Sequence, residues 1–391
     1  MLQRPTASPA RTALAGAIAM AAAMGFGRFV FTPILPGMVA GVPLSASQAG
    51  WIAAANFAGY LAGAILASFG WGAGRERRIG LLALLVSSLA LAAMGVTDDV
   101  SLLALVRFVA GLASAFAMIF VTAVVSGQAQ ASGDRTVMPI HFGGVGMGIA
   151  LSSLIVYLLA TLDGGGARAW RADWLACAAV TLAMLAAVAR LLPAPVANTA
   201  VSPPEPSIAW TRPLSLLTLS YGLFGFGYVI TATFIVTMAR MGDAGPAIEF
   251  LTWFVTGLTA AVSILAWAPQ ARRAGLRSTY PLALVLQTVG VLASIALPAS
   301  LAPLVGGALL GATFMVVTAH GLQIGQMIAP ESSRRVLAAM TAAFGVGQIV
   351  GPLVGGWAAD LTGSFALASL LGAGALALAT LAVLSVRDSL P

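Results

Sequence analysis

Long apolar runs alternate along the chain with short polar or arginine-bearing segments, and within each run apolar residues occupy every side instead of one stripe. A segment that is apolar all round belongs in lipid or a protein interior, and about 20 residues suffice to cross a bilayer as a helix. Twelve such runs are present: Thr12 to Val39, Gln48 to Gly70, Ile79 to Met94, Val100 to Val125, Met138 to Leu162, Ala172 to Leu192, Leu214 to Ala239, Pro246 to Trp267, Tyr280 to Leu297, Leu301 to Met327, Val336 to Trp357 and Ser364 to Val386. None alternates with the two-residue period of a barrel strand, so their backbones must be satisfied within helices. The pattern predicts an all-α membrane protein with twelve transmembrane helices. Arg4 and Arg11 precede the first run as they would a signal peptide, but the run continues through Arg28 to Met38, so it reads as an uncleaved first span.

The longest polar stretch, 193–211, holds Pro193, Pro195, Pro203, Pro204 and Pro206 and reads as a linker between a six-helix half at 1–192 and a second at 212–391. Short repeats agree with that division. Met24-Gly25-Phe26-Gly27-Arg28 matches Phe224-Gly225-Phe226-Gly227-Tyr228 at an offset of 200, and Gly144-Val145-Gly146 recurs as Gly345-Val346-Gly347 at 201. Matching offsets six spans apart indicate a parallel duplication, as in transporters whose site lies at mid-membrane between two halves. These glycines sit inside apolar runs with no preceding strand, so they read as helix-packing positions and not as nucleotide loops.

Composition adds exclusions. Charged residues make up 8% of the chain and hydrophobic residues 60%, and every basic residue is arginine. Without lysine there is no P-loop ATPase and no Schiff-base chemistry. One cysteine, Cys177, and two histidines, His141 and His320, cannot build a Cys/His zinc site, so no metal and no cofactor is expected. No nucleophile, base and orienting acid share one layer, so an enzyme is not expected. The net charge of +7 is spread over loops between spans, which is the mark of membrane orientation and not of a nucleic-acid partner. With the N-terminus inside, 14 arginines fall on the cytoplasmic side against three outside, Arg168, Arg171 and Arg240, so both termini are expected in the cytoplasm.

Twelve spans, a duplicated half, a central linker and basic loops after spans two and eight resemble the major facilitator superfamily. More narrowly, Gly25-Phe26-Gly27-Arg28-Phe29 with Thr32, Pro33 and Pro36, then Tyr221-Gly222 through Gly225-Phe226-Gly227-Tyr228 and Thr233-Phe234, resemble its YbfB/YjiJ branch of bacterial transporters. The resemblance implies a multi-pass protein of the bacterial inner membrane that moves a small molecule by alternating access, a monomer, with spans one, four, seven and ten lining the cavity. Arg107-Phe108-Val109-Ala110-Gly111 is similar to the superfamily's Arg-x-x-x-Gly signature, implied to serve substrate or proton coupling. The loop from Gly70 to Arg78 matches the signature loop after span two only in part, because its aspartate is missing.

Two arginines inside spans carry the sharpest chemical signal. A charge at mid-bilayer costs about 2.5 to 3.5 kcal/mol on insertion scales and therefore faces a wet cavity or a partner. At 1.5 Å per residue, Arg28 lies about 24 Å from the inner start of span one and Arg107 about 11 Å from the outer start of span four, at similar depth. Glu249 is the one acid well inside a predicted span, so two cations facing it favour an anionic substrate. The alternative for either arginine is snorkelling or bonding to backbone carbonyls. Tyr228, Thr231 and Gln323 join Arg28 and Arg107 as expected substrate contacts, on the spans that the resemblance assigns to the cavity. Helix-to-helix hydrogen bonds are the other reading of Tyr228, Thr231 and Gln323, and the reading of Asn56, Tyr60 and Gln348. For proton coupling the candidates are His320 and Glu249, with a structural histidine as the other reading of His320. A secondary transporter of a small organic anion, linked to protons, is the expectation. Its rivals are a proton-coupled exporter of neutral or cationic drugs and a membrane sensor that binds without transport.

Overall fold

The computed structural model describes residues 8–163, 169–195 and 205–390, and every regular element among them is helical. Twelve helices are long and apolar enough to cross a membrane: α1 (Pro9–Gly41), α2 (Ala46–Ser68), α3 (Glu76–Met94), α4 (Val100–Ser132), α5 (Val137–Asp163), α6 (Ala169–Leu191), α7 (Arg212–Met241), α8 (Pro246–Ala274), α9 (Leu276–Ala296), α10 (Ala302–Ile328), α11 (Ser333–Thr362) and α12 (Ala366–Leu384). They answer one for one to the twelve apolar runs. α4 and α8 run on past Val125 and Trp267 to Ser132 and Ala274, because Gln128, Gln130, Arg272 and Arg273 end the hydropathy signal without disturbing helical hydrogen bonding. Each stops at a glycine with positive φ, Gly133 at 70° and Gly275 at 71°, a conformation that costs other residues energy.

Of the linker expected at 193–211, residues 196–204 lie outside the described residues, as do Arg4 and Arg168 of the charge count. Glu205 to Trp210 are non-helical. The Glu205 carboxylate accepts from the Arg334 guanidinium at 2.8 Å and from the backbone N–H groups of Arg334 and Arg335 at 3.0 and 3.2 Å. These bonds at the start of α11 hold it below the usual carboxylate range, with the Arg334 side chain first among the causes.

Helices α1 to α6 and α7 to α12 form two six-helix halves, and most of the repeated glycines are where helices within each half close up. A Cβ on Gly25 of α1 would stand 2.4 Å from the Gly148 backbone of α5, and one on Gly347 of α11 would stand 2.2 Å from the Gly222 carbonyl of α7. The halves meet at α2 against α11 and α5 against α8, again through small residues. A Cβ on Gly146 would fall 2.2 Å from the Ala261 nitrogen. The Thr32 hydroxyl donates to the Ala232 carbonyl at 2.6 Å, joining α1 to α7 at positions separated by the sequence offset of the repeat. Contact between repeat-equivalent positions is what an axis relating the halves requires.

That contact lies toward the end of the bundle away from the chain termini, and the same end is stapled a second time. Asp360, near the end of α11, accepts the N–H groups of Ala46 and Ser47 at 2.9 Å each, at the first turn of α2, beside a capping box made by Ser45 and Gln48. A carboxylate on free N–H groups at a helix start stabilises by about 0.5 to 2 kcal/mol. Asp360→Ala is therefore expected to open this end more often. In that background a cysteine at Ala49, buried beside Asp360, should react with an impermeant thiol reagent severalfold faster than in the parent. Equal labelling rates would mean that the contact closes nothing.

Candidate functional site

Helix α1 does not run straight through the bundle. It is α-helical to Met20, widens to a π-helix over Ala21–Phe26, breaks at 27–30 and resumes as Phe31–Gly41. The N–H groups of Gly27 and Phe29 bond five residues back, to Ala22 and Met24, and Thr32 bonds back only to Phe29. The cause is Pro33, which has no N–H and crowds the carbonyl four residues before it, next to two glycines that hold the helix weakly. The carbonyls of Gly27 and Arg28 are thereby released from the helical ladder in a buried region.

Arg107 of α4 takes both. Its Nη1 donates to the Gly27 carbonyl at 3.1 Å and its Nη2 to the Arg28 carbonyl at 2.9 Å, while its charge lies 5.1 Å from the Phe31 ring centre. Four residues on, a Cβ at Gly111 would stand 1.9 Å from the Asn56 carbonyl, and the Asn56 amide donates to the Arg107 carbonyl at 2.9 Å. The Arg-x-x-x-Gly pattern thus has a local meaning here: the glycine lets α2 approach α4, and the arginine pins the break in α1. Arg107 sits behind the cavity wall and not in it, the carbonyl-bonding alternative weighed from sequence.

Arg28 points the other way, into a cavity of about 270 Å³ between the halves. The cavity reaches from Arg28 and Tyr228 down to Phe142 near the start of α5 and Leu322 near the end of α10, and Ala319 in its wall is exposed, so it opens toward the termini-bearing end. Arg28 is 5% exposed. Its Nη2 donates to the Gln348 side-chain carbonyl at 3.2 Å, and the Gln348 amide donates to the Tyr228 hydroxyl. The charge lies 4.0 Å from the Tyr60 ring centre and 4.9 Å from that of Phe57. Its Nε is buried without a partner, and Arg28 makes no ion pair among the described residues. Aromatic faces give back part of the cost of burying a cation, about 0.5 to 2 kcal/mol each, but do not neutralise it. Tyr228, the repeat equivalent of Arg28, is stacked between Phe314 and Phe344 at interplanar angles of 6° and 5°.

The other expected residues lie elsewhere. Thr231 is buried in α7 with an unpartnered hydroxyl, outside the cavity. Gln323 is exposed; its neighbour Leu322 lines the cavity, and one residue turns a helical side chain by about 100°. His320 is half-buried beside Ala319, with Nδ1 unpartnered, and is not in the wall. Glu249, in the first turn of α8, is held in a two-pronged ion pair by Arg240 of α7 at the far end, so the expectation of an acid facing the buried arginines gives way to a local bridge. Its partner was legible, since Arg240 closes the preceding span only a short loop away. His141 is fully buried against the Thr122 hydroxyl at 2.9 Å. Gln348, read from sequence as a helix-to-helix hydrogen bond, does join α11 to α1 and α7, but it also lines the cavity, as Tyr60 does, which its place on span eleven did not suggest. Its signal is its place just after Gly347, in the repeat of the segment that packs on span one.

Twelve spans in two halves around a central cavity define a membrane transporter of the major facilitator fold. Residues 20–384 match the family described as "Uncharacterised MFS-type transporter YbfB", and the chain belongs to that family. No curated protein sequence matches the chain. Among solved structures it is similar to a point variant of the nucleoside transporter NupG, with TM-score 0.75 and 15% identity over 96% of this chain and 99% of that one. It is also similar to a bacterial homologue of the human lysosomal transporter Spinster, inward-facing and unoccupied, with TM-score 0.70 and 14% identity over 100% of this chain and 99% of that one. At such identities the likeness is one of fold.

Proposed function

We propose that this chain carries a small organic anion across the bacterial inner membrane by alternating access, as a monomer with both termini in the cytoplasm, and that transport is linked to protons. The observation that supports this most is Arg28: a buried cation facing the cavity, with a free donor and no carboxylate among the described residues around it. A cationic drug would meet that charge unshielded, and Glu249, the acid such an exporter would use, is already bound to Arg240. With no acid in the wall, the proton either rides on the substrate carboxyl or on His320. The arginine asymmetry of the sequence supports a cavity open to the cytoplasmic side, the state from which a ligand enters or leaves the cell interior.

Purified protein in proteoliposomes should take up labelled benzoate saturably, and faster with the outside acidic. If His320→Gln moves the pH optimum, the histidine carries the proton; if the optimum follows the pKa of the acid supplied, the substrate does. Absence of uptake for any acid tried, with the protein correctly inserted, overturns the reading. Orientation is tested separately with Cys177 replaced by alanine. A cysteine at Asp243 should be labelled from outside intact cells and one at Ser207 should not, and the reverse pattern inverts the topology.

A further inference from the structure

The proposed function leaves the class of anion open, and the cavity wall carries that question further. Resting on that reading, we infer that the site selects monocarboxylates with an apolar body and rejects both dianions and hydroxylated compounds.

The first ground is charge. The wall offers one cation, Arg28, because the other buried arginine of this layer, Arg107, is engaged by the Gly27 and Arg28 carbonyls and lies outside the cavity. One carboxylate neutralises Arg28. A second would be carried into a low-dielectric space with no counter-charge, where desolvation outweighs any gain.

The second ground is that the wall's polar groups satisfy one another. Gln348 accepts from Arg28 and donates to the Tyr228 hydroxyl, the Tyr60 hydroxyl donates to the Met118 sulfur at 3.0 Å, and the Thr318 hydroxyl donates to the Phe314 carbonyl at 2.7 Å. Apart from the Tyr228 proton, the uncommitted donors are on Arg28, whose buried Nε has no partner and with the neighbouring Nη2 forms the edge that a carboxylate grips through two bonds. A sugar, a nucleoside or a hydroxy acid brings several hydroxyls that must shed water and find fewer partners than they lose, at a cost of about tenfold or more in affinity for each one left unpaired.

The third ground is the rest of the lining. Met20, Met24, Met118 and Met315 bring flexible, polarisable thioethers from both halves, in a lining they share with Phe314 and Phe344. Such a surface repacks around aliphatic or aromatic bodies without offering them a directional bond.

Isothermal titration of the full chain in nanodiscs at pH 7 tests this with matched probes. Cyclohexanecarboxylate against quinate, its polyhydroxylated counterpart, isolates hydroxyls; butyrate against succinate isolates the second charge; benzoate against benzyl alcohol isolates the first. The monocarboxylates are expected to bind at least tenfold more tightly than quinate and succinate, and uridine to show no heat of binding. Benzoate binding should weaken by at least tenfold in Arg28→Gln, which separates the site from partition into lipid. If succinate or quinate binds as tightly as its apolar counterpart while binding still needs Arg28, the selectivity is overturned and the anion reading stands. If benzyl alcohol matches benzoate, or no acid binds, the anion reading falls and the selectivity with it.

Discussion

Arg28→Ala is expected to lower anion affinity by about 10- to 100-fold, the worth of a charge-assisted pair of hydrogen bonds, and to bring proteoliposome uptake to background. Insertion and folding should survive. The side chain bonds no backbone group, its one hydrogen bond goes to Gln348, and removing an unpaired buried cation relieves a cost that the Tyr60 and Phe57 faces only partly offset. Arg28→Lys should recover little, because an ammonium keeps the charge but loses the planar fork. The measurements are binding of benzoate by titration, uptake, and melting of the solubilised protein. An alanine variant that binds with parental affinity would remove Arg28 from the site.

The fold was legible because its determinants are local and coarse. A lipid-spanning helix announces itself by length and by apolarity on all sides, and the offset of 200 was written in the glycines because close helix packing tolerates nothing larger at Gly25, Gly146 and Gly347. The site was legible only where charge marked it. Arg28 stood out against the apolar background, and Tyr228 was marked only by lying on a span that the resemblance assigns to the cavity. The methionines and phenylalanines of the wall did not, because a side chain facing an apolar cavity looks in sequence like one facing lipid. Nor did the register of the polar groups: Thr231 and Gln323 are on the expected helices but turned away from the cavity, and a helix face cannot be fixed when every face is apolar. The roles of the two buried arginines were hidden in backbone geometry. Their equal depth is read correctly by counting residues, since Arg107 touches the Arg28 carbonyl, but which of them faces the cavity depends on where α1 breaks.

That break makes Arg107 the more damaging position for the protein as a whole. Reading both arginines as anion ligands predicts that Arg107→Ala folds normally and fails only in transport; the carbonyl contacts predict the opposite order of events. Alanine leaves the Gly27 and Arg28 carbonyls unbonded in a buried region where water is scarce, at about 1 to 3 kcal/mol each, which is a large part of the margin of a typical protein. The break in α1 must then reseal or recruit water, and either outcome displaces the Arg28 side chain attached to it. Arg107→Ala is therefore expected to melt well below the parent and to reach the membrane in lower yield, with binding lost as a consequence. Lysine should restore part of the stability, since an ammonium on a stem of similar length reaches the same two carbonyls as a point donor. Melting followed by size-exclusion fluorescence separates the cases. If Arg107→Ala melts with the parent yet no longer binds benzoate, Arg107 acts on the ligand and the two arginines share one anion after all; if it melts early and Arg28→Ala does not, the pair divides the work, one residue holding the helix open and the other using the opening.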